Sequence, residues 1–147
     1  MKYFFVLIIF VLVAGFLISL PSTSLTPENI GHVVLAGQSI KVDLAISEES
    51  QVRGLSGRAS LPAGEGMLFV FDQPGKHMFW MQGMQFPIDI IWITENMQVV
   101  HFEKSVAPTS FPERFGPDAY VKYVLEVPAG FAEKNNLQVG NTVMFTD

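Results

Sequence analysis

Cysteine is absent from this 147-residue chain, and that one absence removes several chemistries. No disulfide can staple the fold, no thiol can act as a nucleophile, no thiolate can hold a metal, and no lipid can be attached through an N-terminal cysteine. Basic charge is scarce as well. All fourteen acidic side chains and eight of the nine basic ones fall at Glu28 or beyond, a net charge of −6 there. A nucleic-acid binder carries a basic patch or stripe, and no segment supplies one, so no nucleic-acid partner is expected. Phosphate-binding glycine loops, the dinucleotide fingerprint and the nucleophile elbow of serine hydrolases are all missing. His32, His77 and His101 lack the close spacing of a ligand motif, so neither a metal nor a cofactor is expected.

The chain is rich instead in apolar residues, 49% of it against 16% charged. Much of that excess lies in YFFVLIIFVLVAGFLISL, where every position from Tyr3 to Leu20 is apolar or glycine except Ser19. At about 1.5 Å per helical residue such a run reaches roughly 27 Å, close to the hydrocarbon thickness of a bilayer. A core helix of a soluble domain would show a polar face, and this run shows none. Residues 1–20 are therefore expected to contact the membrane as an anchor. The alternative is a signal peptide cleaved after Ser22-Thr23-Ser24, which would release a secreted domain. Lys2 is the only basic residue before Lys41, which places the N-terminus inside and the rest of the chain outside the cytoplasm. Residues 21–30, PSTSLTPENI, read as a linker, and residues 31–147 as one globular domain.

Within that domain the hydrophobic period is two. Ile40, Val42, Leu44 and Ile46 alternate with Lys41, Asp43 and Ala45, which predicts a half-buried strand. His32–Ala36 is expected to pair with it through a Gly37-Gln38 turn. Ser47 is a helix cap, with Glu48 and Glu49 in the first turn, and Gly54 and Gly57 keep the helix short. Met67–Phe71 is continuously apolar and predicts a strand covered on both faces. The Asp72-Gln73-Pro74-Gly75 that follows fits a type II turn, so 67–81 is expected to be a hairpin. Ile88–Ile93 should pair with Gln98–Val106, the proline-rich 107–119 should be a loop, and strands are expected at Tyr120–Val127 and Val143–Phe145. A short helix opens after Pro128-Ala129-Gly130, and Phe86-Pro87 is an aromatic-proline bond of the kind that favours the cis isomer. About eight short strands and two short helices predict a mainly-β, closed or nearly closed small barrel, and LQVGNTVMF resembles the turn of cradle-loop barrels.

Four segments stand in order: RGLSGR at 53–58, GMLFVF at 66–71, FWMQGMQFPIDIIWI at 79–93 and YVLEVPAG at 123–130. Together they resemble the domain-of-unknown-function 192 family over nearly all of residues 31–146. The resemblance implies a compact, mainly-β domain, often exported, and no established activity. The family pattern runs Lys-Asn-Thr after Phe-Trp-Met, whereas this chain has Gln82-Gly83-Met84.

Six residues stand out as site candidates. Arg53 and Arg58 flank a glycine-flexed tetrapeptide, and guanidinium groups hold carboxylate or phosphate in a bidentate fork; they serve equally as structural partners for acids. Asp89 and Glu126 each interrupt an apolar strand, where a charge needs a partner or neutralises. Trp80 and Met81 belong to an apolar stretch in which His77, Phe79 and Met81 would face one way and Met78 and Trp80 the other, one set lining the core. Arg53, Arg58, Asp89 and Glu126 are expected to converge near Trp80. The favoured function is a membrane-anchored extracytoplasmic binding module for a small anionic or carbohydrate-like ligand or a peptide. A hydrolase using Asp89 and Glu126 and a structural or interaction protein of the cell envelope are the alternatives.

Overall fold

The structure, a computed structural model, describes residues 26–147. The anchor expected at residues 1–20 and most of the linker lie outside the described residues, and no described helix is long and apolar enough to cross a membrane.

Among the described residues seven strands and two short α-helices follow one another. They are β1 (His32–Leu35), β2 (Gln38–Ala45), α1 (Glu48–Arg53), β3 (Glu65–Gly75), β4 (Ile88–Ile93), β5 (Val99–Val106), β6 (Val121–Pro128), α2 (Phe131–Lys134) and β7 (Met144–Thr146). They form a single sheet in the order β5-β4-β6-β3-β2-β1-β7. The pairing is antiparallel except between β2 and β3. A parallel pair requires a crossover connection, and the segment between β2 and β3 supplies it. That crossover carries α1, so α1 lies against one face of the sheet.

The sheet curls into a half-closed barrel. Its two edges meet at one end through the bridge between Gln98 and Thr142, where the Val143 N–H donates to the Met97 carbonyl at 2.8 Å and the Gly140 N–H to the Val99 carbonyl at 2.7 Å. Strand alternation divides the apolar side chains into two cores. One holds Leu35, Ile40, Leu68, Val70, Ile91, Leu125 and Val127, closed over by Ala132, Leu137 and Val143. The other holds Met67, Phe69, Ile90, Trp92 and Val124, closed over by Leu55, Leu61 and Met81. A strand such as β4, buried along its whole length, therefore has no polar face to show.

Several sequence expectations hold. Ser47 caps α1 with its Oγ accepting from the Ser50 N–H at 3.2 Å, β3 is covered on both faces at Met67–Val70, and β4 pairs with β5. Asn141, in the cradle-loop-like turn, accepts from the Gln138 N–H at 2.8 Å through its side chain. Other expectations are corrected. Among the described residues there are seven strands rather than about eight, in a half-closed barrel rather than a closed or nearly closed one. The first turn is Ala36-Gly37, displaced by one residue: Leu35 pairs with Gln38, and Ala36 (φ 49°) and Gly37 (φ 76°) both take positive φ, as a type I′ hairpin demands. No 67–81 hairpin forms. β3 runs on through Pro74 to Gly75, pairs with the distant β2 and β6, and takes up the Asp72–Pro74 stretch in a register shift between Val70 and Gly75. The cis peptide bond is Phe111-Pro112, and Phe86-Pro87 is not among the cis bonds.

Candidate binding cleft

The crossover from β2 to β3 builds one wall of a cleft. The Gln51 side chain fixes α1 to the sheet, its Nε2 donating to the Val70 carbonyl at 2.9 Å and lying 3.3 Å from the Ala45 carbonyl. α1 stops at Gly54, whose φ of 49° and ψ of −133° suit glycine; a Cβ there would also meet the Phe69 ring at 3.3 Å. The loop beyond is stapled to the segment after Trp80. Ser56 Oγ donates to the Gln82 carbonyl at 2.7 Å, and the Gly57 N–H donates to the Gly83 carbonyl at 3.0 Å.

The opposite wall is a flap built from residues 76–84 and the 111–118 loop. Phe79 and Phe115 exchange two backbone hydrogen bonds, each 2.8 Å, and the Trp92 Nε1–H donates to the His77 carbonyl at 2.8 Å. The alternation expected for this stretch survives although it forms no strand with β3. Phe79 and Met81 turn into the core, while Met78 and Trp80 remain partly exposed. Rings line the interior: Phe71 stacks on His77 at 3.5 Å between centroids, and Phe79 meets Phe69 edge-on at 4.7 Å. Burial lowers the basicity of His77, against a smaller opposing pull from its hydrogen bond to the Gln73 backbone. Between α1 and the flap lies a cleft of about 770 Å³, with Glu126 at its floor and Arg53, Lys76 and Arg114 among its lining.

Glu126 comes from β6, opposite Met67 of β3 and Ile90 of β4. It is 5% exposed, and its Oε2 has no hydrogen-bond partner. Loss of water pushes its pKa up to about 8; the charge of Arg58 pulls the other way and does not win. Burial thus favours the protonated carboxyl, which can both donate and accept a hydrogen bond.

The six candidate residues do not form one cluster. Arg53 makes a long, exposed pair with Glu49 at 3.8 Å. Arg58 pairs with Asp43 at 2.8 Å. The two arginines share a smaller adjoining pocket of about 390 Å³, and Arg53 also lines the larger cleft with Trp80 and Glu126. Trp80 is 42% exposed, and the Arg114 guanidinium lies 4.7 Å from its ring. Met81 is buried in the core at 1% exposure and does not line the cleft. Asp89 is the principal departure. It faces the first core with Ile91 and Ile93, whereas Glu126 faces the second with Val124. The two acids are on opposite faces of the sheet, and the expected four-residue convergence does not occur. Asp89 is met by three backbone amides, Ser105 N–H at 2.7 Å and Gly130 N–H at 3.1 Å on Oδ1, and Ala132 N–H at 2.7 Å on Oδ2. No arginine takes part.

Sequence reasoning did not single out Phe69, Phe71, Gln51 or Arg114 for the cleft. The two phenylalanines read as core in a continuously apolar strand, and Arg114 sits in a proline-rich loop whose course carries no periodic signal. Among the described residues no group of three His, Asp or Glu is placed to hold a metal ion.

A half-closed, seven-stranded sheet with one parallel crossover over its ligand-sized cleft defines the class of domain. The chain belongs to the domain-of-unknown-function 192 family, described as an uncharacterised ACR, whose family model matches residues 32–145. Two solved structures are similar. A protein of unknown function from Novosphingobium aromaticivorans DSM 12444 has a TM-score of 0.74 at 26% identity, over 78% of this chain and 84% of that one. A protein from Sinorhizobium meliloti 1021, described as a proposed transcription regulator, has a TM-score of 0.73 at 25% identity, over 78% of this chain and 92% of that one. No curated protein matches the chain.

Proposed function

We propose that this domain is a binding module, held at the outer side of a membrane by residues 3–20, whose cleft takes a small carbohydrate-like or anionic ligand. The observation that carries this reading is the buried Glu126, its Oε2 without a hydrogen-bond partner, lining a cleft of about 770 Å³ that aromatic rings also line. Ligand sites are concave, mostly apolar and provided with a few placed polar groups, and they begin at roughly 300 Å³. Phe71, Phe79 and the partly exposed Trp80 give the cleft ring surface for an apolar or ring-shaped body, while Arg53 and Arg114 offer positive charge to an anionic substituent. The same observation favours binding over hydrolysis by paired carboxylates, because the second acid, Asp89, lies on the far face of the sheet. It also favours a small ligand over an envelope protein, which would be expected to cover a flat patch.

Nucleic acid is a poor fit. Of the eight Lys and Arg among the described residues, Arg53, Arg58, Lys76 and Lys122 already lie in ion pairs, and the overall charge is −5. The regulator role attached to the S. meliloti protein is therefore not carried over. The test is a thermal-shift and Trp-fluorescence screen of the full-length chain in detergent against neutral sugars, sugar acids, sugar phosphates and short peptides. A saturable rise in Tm with a change in Trp80 emission is expected from a sugar or sugar acid. Trp80 is the reporter because Trp92, the other tryptophan, is fully buried. Silence across the sugar series with a response to peptides alone would overturn the ligand class. In membranes taken before solubilisation, release of the protein by carbonate would remove the anchor.

A further inference from the structure

Among the described residues Asp89 and Glu126 are the buried charged side chains. Asp89 is satisfied by three amides. Glu126 is pressed between Met67 and Ile90 on the sheet, with Oε2 unpartnered, although a leucine or methionine would fill the same space without burying a polar group. A buried polar group without a partner is costly, and this one lines a cleft open to small molecules. We infer that Glu126 is the specificity-determining residue of this cleft, and that it reads an uncharged ligand group that both donates and accepts a hydrogen bond, an amide or a hydroxyl. This rests on the binding-module reading and deepens it.

The chemistry follows from what a neutral carboxyl offers, an O–H donor or a carbonyl acceptor. Oε2 is closed off from solvent, so an amide or a hydroxyl would meet the carboxyl from the cleft side, giving or taking one hydrogen bond. An anionic ligand end would bring a second carboxylate-like charge into a site that already resists one. A cationic end would require Glu126 to ionise against its burial. The other charged and titratable groups of the cleft are Arg53 and Glu48 from α1, Lys76 and His77 from the flap, and Arg114 from the loop after β5. Arg58 favours the ionised acid, but burial outweighs it, and the Arg58 guanidinium is already engaged by Asp43 at 2.8 Å. An anionic substituent thus belongs at the rim and the uncharged group at the floor.

The experiment works with the natural ligand unidentified. The full-length chain in detergent is treated with dicyclohexylcarbodiimide, an apolar reagent for protonated carboxyls, and the labelled residues are mapped by mass spectrometry. The acid's proton passes to a carbodiimide nitrogen and its oxygen adds to the central carbon. The O-acylisourea then rearranges to an N-acylurea, and nothing leaves. Labelling is expected at Glu126 at pH 7 and should fall by more than about tenfold by pH 10, as the acid ionises. Asp89, as deeply buried but bonded to three amides, should stay unlabelled. Benzamide should protect Glu126, and benzoate, its near-isostere, should not. Glu126→Gln should keep benzamide binding and Glu126→Leu should lose it, both with a cooperative thermal transition. An unlabelled Glu126 overturns the inference in the wild-type chain, whatever the variants do. Protection by benzoate equal to that by benzamide also overturns it, yet leaves the cleft a binding site. A cleft that answers neither these probes nor the sugar series loses the binding-module reading as well.

Discussion

Asp89 on β4 and Glu126 on β6 belong to neighbouring strands, and both are hidden from water, but the two faces of the sheet treat them differently. On the face of Asp89 the backbone turns three N–H groups inward, from the end of β5 and from the turn and first residues of α2. Those amides replace water almost fully, so the acid acts as a clamp that joins β4, β5 and α2. On the face of Glu126 no donor reaches Oε2, the neighbours are Met67 and Ile90, and the carboxyl responds by keeping its proton. A buried polar group that is fully satisfied specifies a structure, whereas one left unmet calls for another explanation, which the proposed role of Glu126 at the cleft supplies.

The largest expected effect breaks the clamp. Asp89→Ala leaves three inward amides without an acceptor, each costing about 1–3 kcal/mol. We expect a loss of at least about 4 kcal/mol in urea unfolding monitored by circular dichroism, with the β4–β5 end losing protection first in hydrogen exchange. A loss below about 1 kcal/mol would mean that the clamp contributes little to the fold.

Glu126→Gln should act in the opposite direction and depend on pH. The folded pKa, about 8, lies above the ordinary 4.5. Between those values the folded state holds a proton that the unfolded state has released, so wild-type stability should fall from about pH 4.5 and level off above about pH 8. The glutamine variant has no proton to lose. It should match wild type near pH 4 and exceed it by on the order of 5 kcal/mol at pH 9. Parallel pH profiles for the two proteins would show that Glu126 ionises without cost and that the two faces are alike.

That both acids are buried is legible in the sequence, because each interrupts an apolar run. That they part company is not. The register pairs Ile90 with Glu126 and Asp89 with Val127, so the acids are one residue out of step and point to opposite faces. Strand alternation gives the parity within a strand but not between strands brought together from distant parts of the chain. The partners of Asp89 were equally hidden, because the N–H groups of Ser105, Gly130 and Ala132 belong to backbone and leave no mark on residue identity. The Pro74-Gly75 pair misleads for a related reason. Its local turn chemistry is strong, yet β3 is the centre of the sheet, and pairing with β2 and β6 on either side overrides the local preference. Features set by neighbours in the chain, such as the Ser47 cap and the β4–β5 pairing, were readable.

The smallest expected effect sharpens the contrast by altering the charge around Glu126 without touching its contacts. Arg58 is the cation that pulls its pKa down, and its own pair with Asp43 is partly exposed at 2.8 Å. Exposed pairs of this sort contribute about 0–1 kcal/mol, so Arg58→Ala should lower stability at pH 5 by less than about 1 kcal/mol. With that positive charge gone, the ionised acid loses its one favourable neighbour, and the pH at which carbodiimide labelling of Glu126 falls by half should move upward. Asp43→Asn provides the control, because it breaks the same ion pair but leaves the arginine charge in place and free to turn toward Glu126. The labelling midpoint should then stay where it is or move down. If Arg58→Ala and Asp43→Asn move the midpoint in the same direction, the shift comes from rearrangement of the loop after α1 rather than from the guanidinium charge. Burial alone would then set the protonation of Glu126.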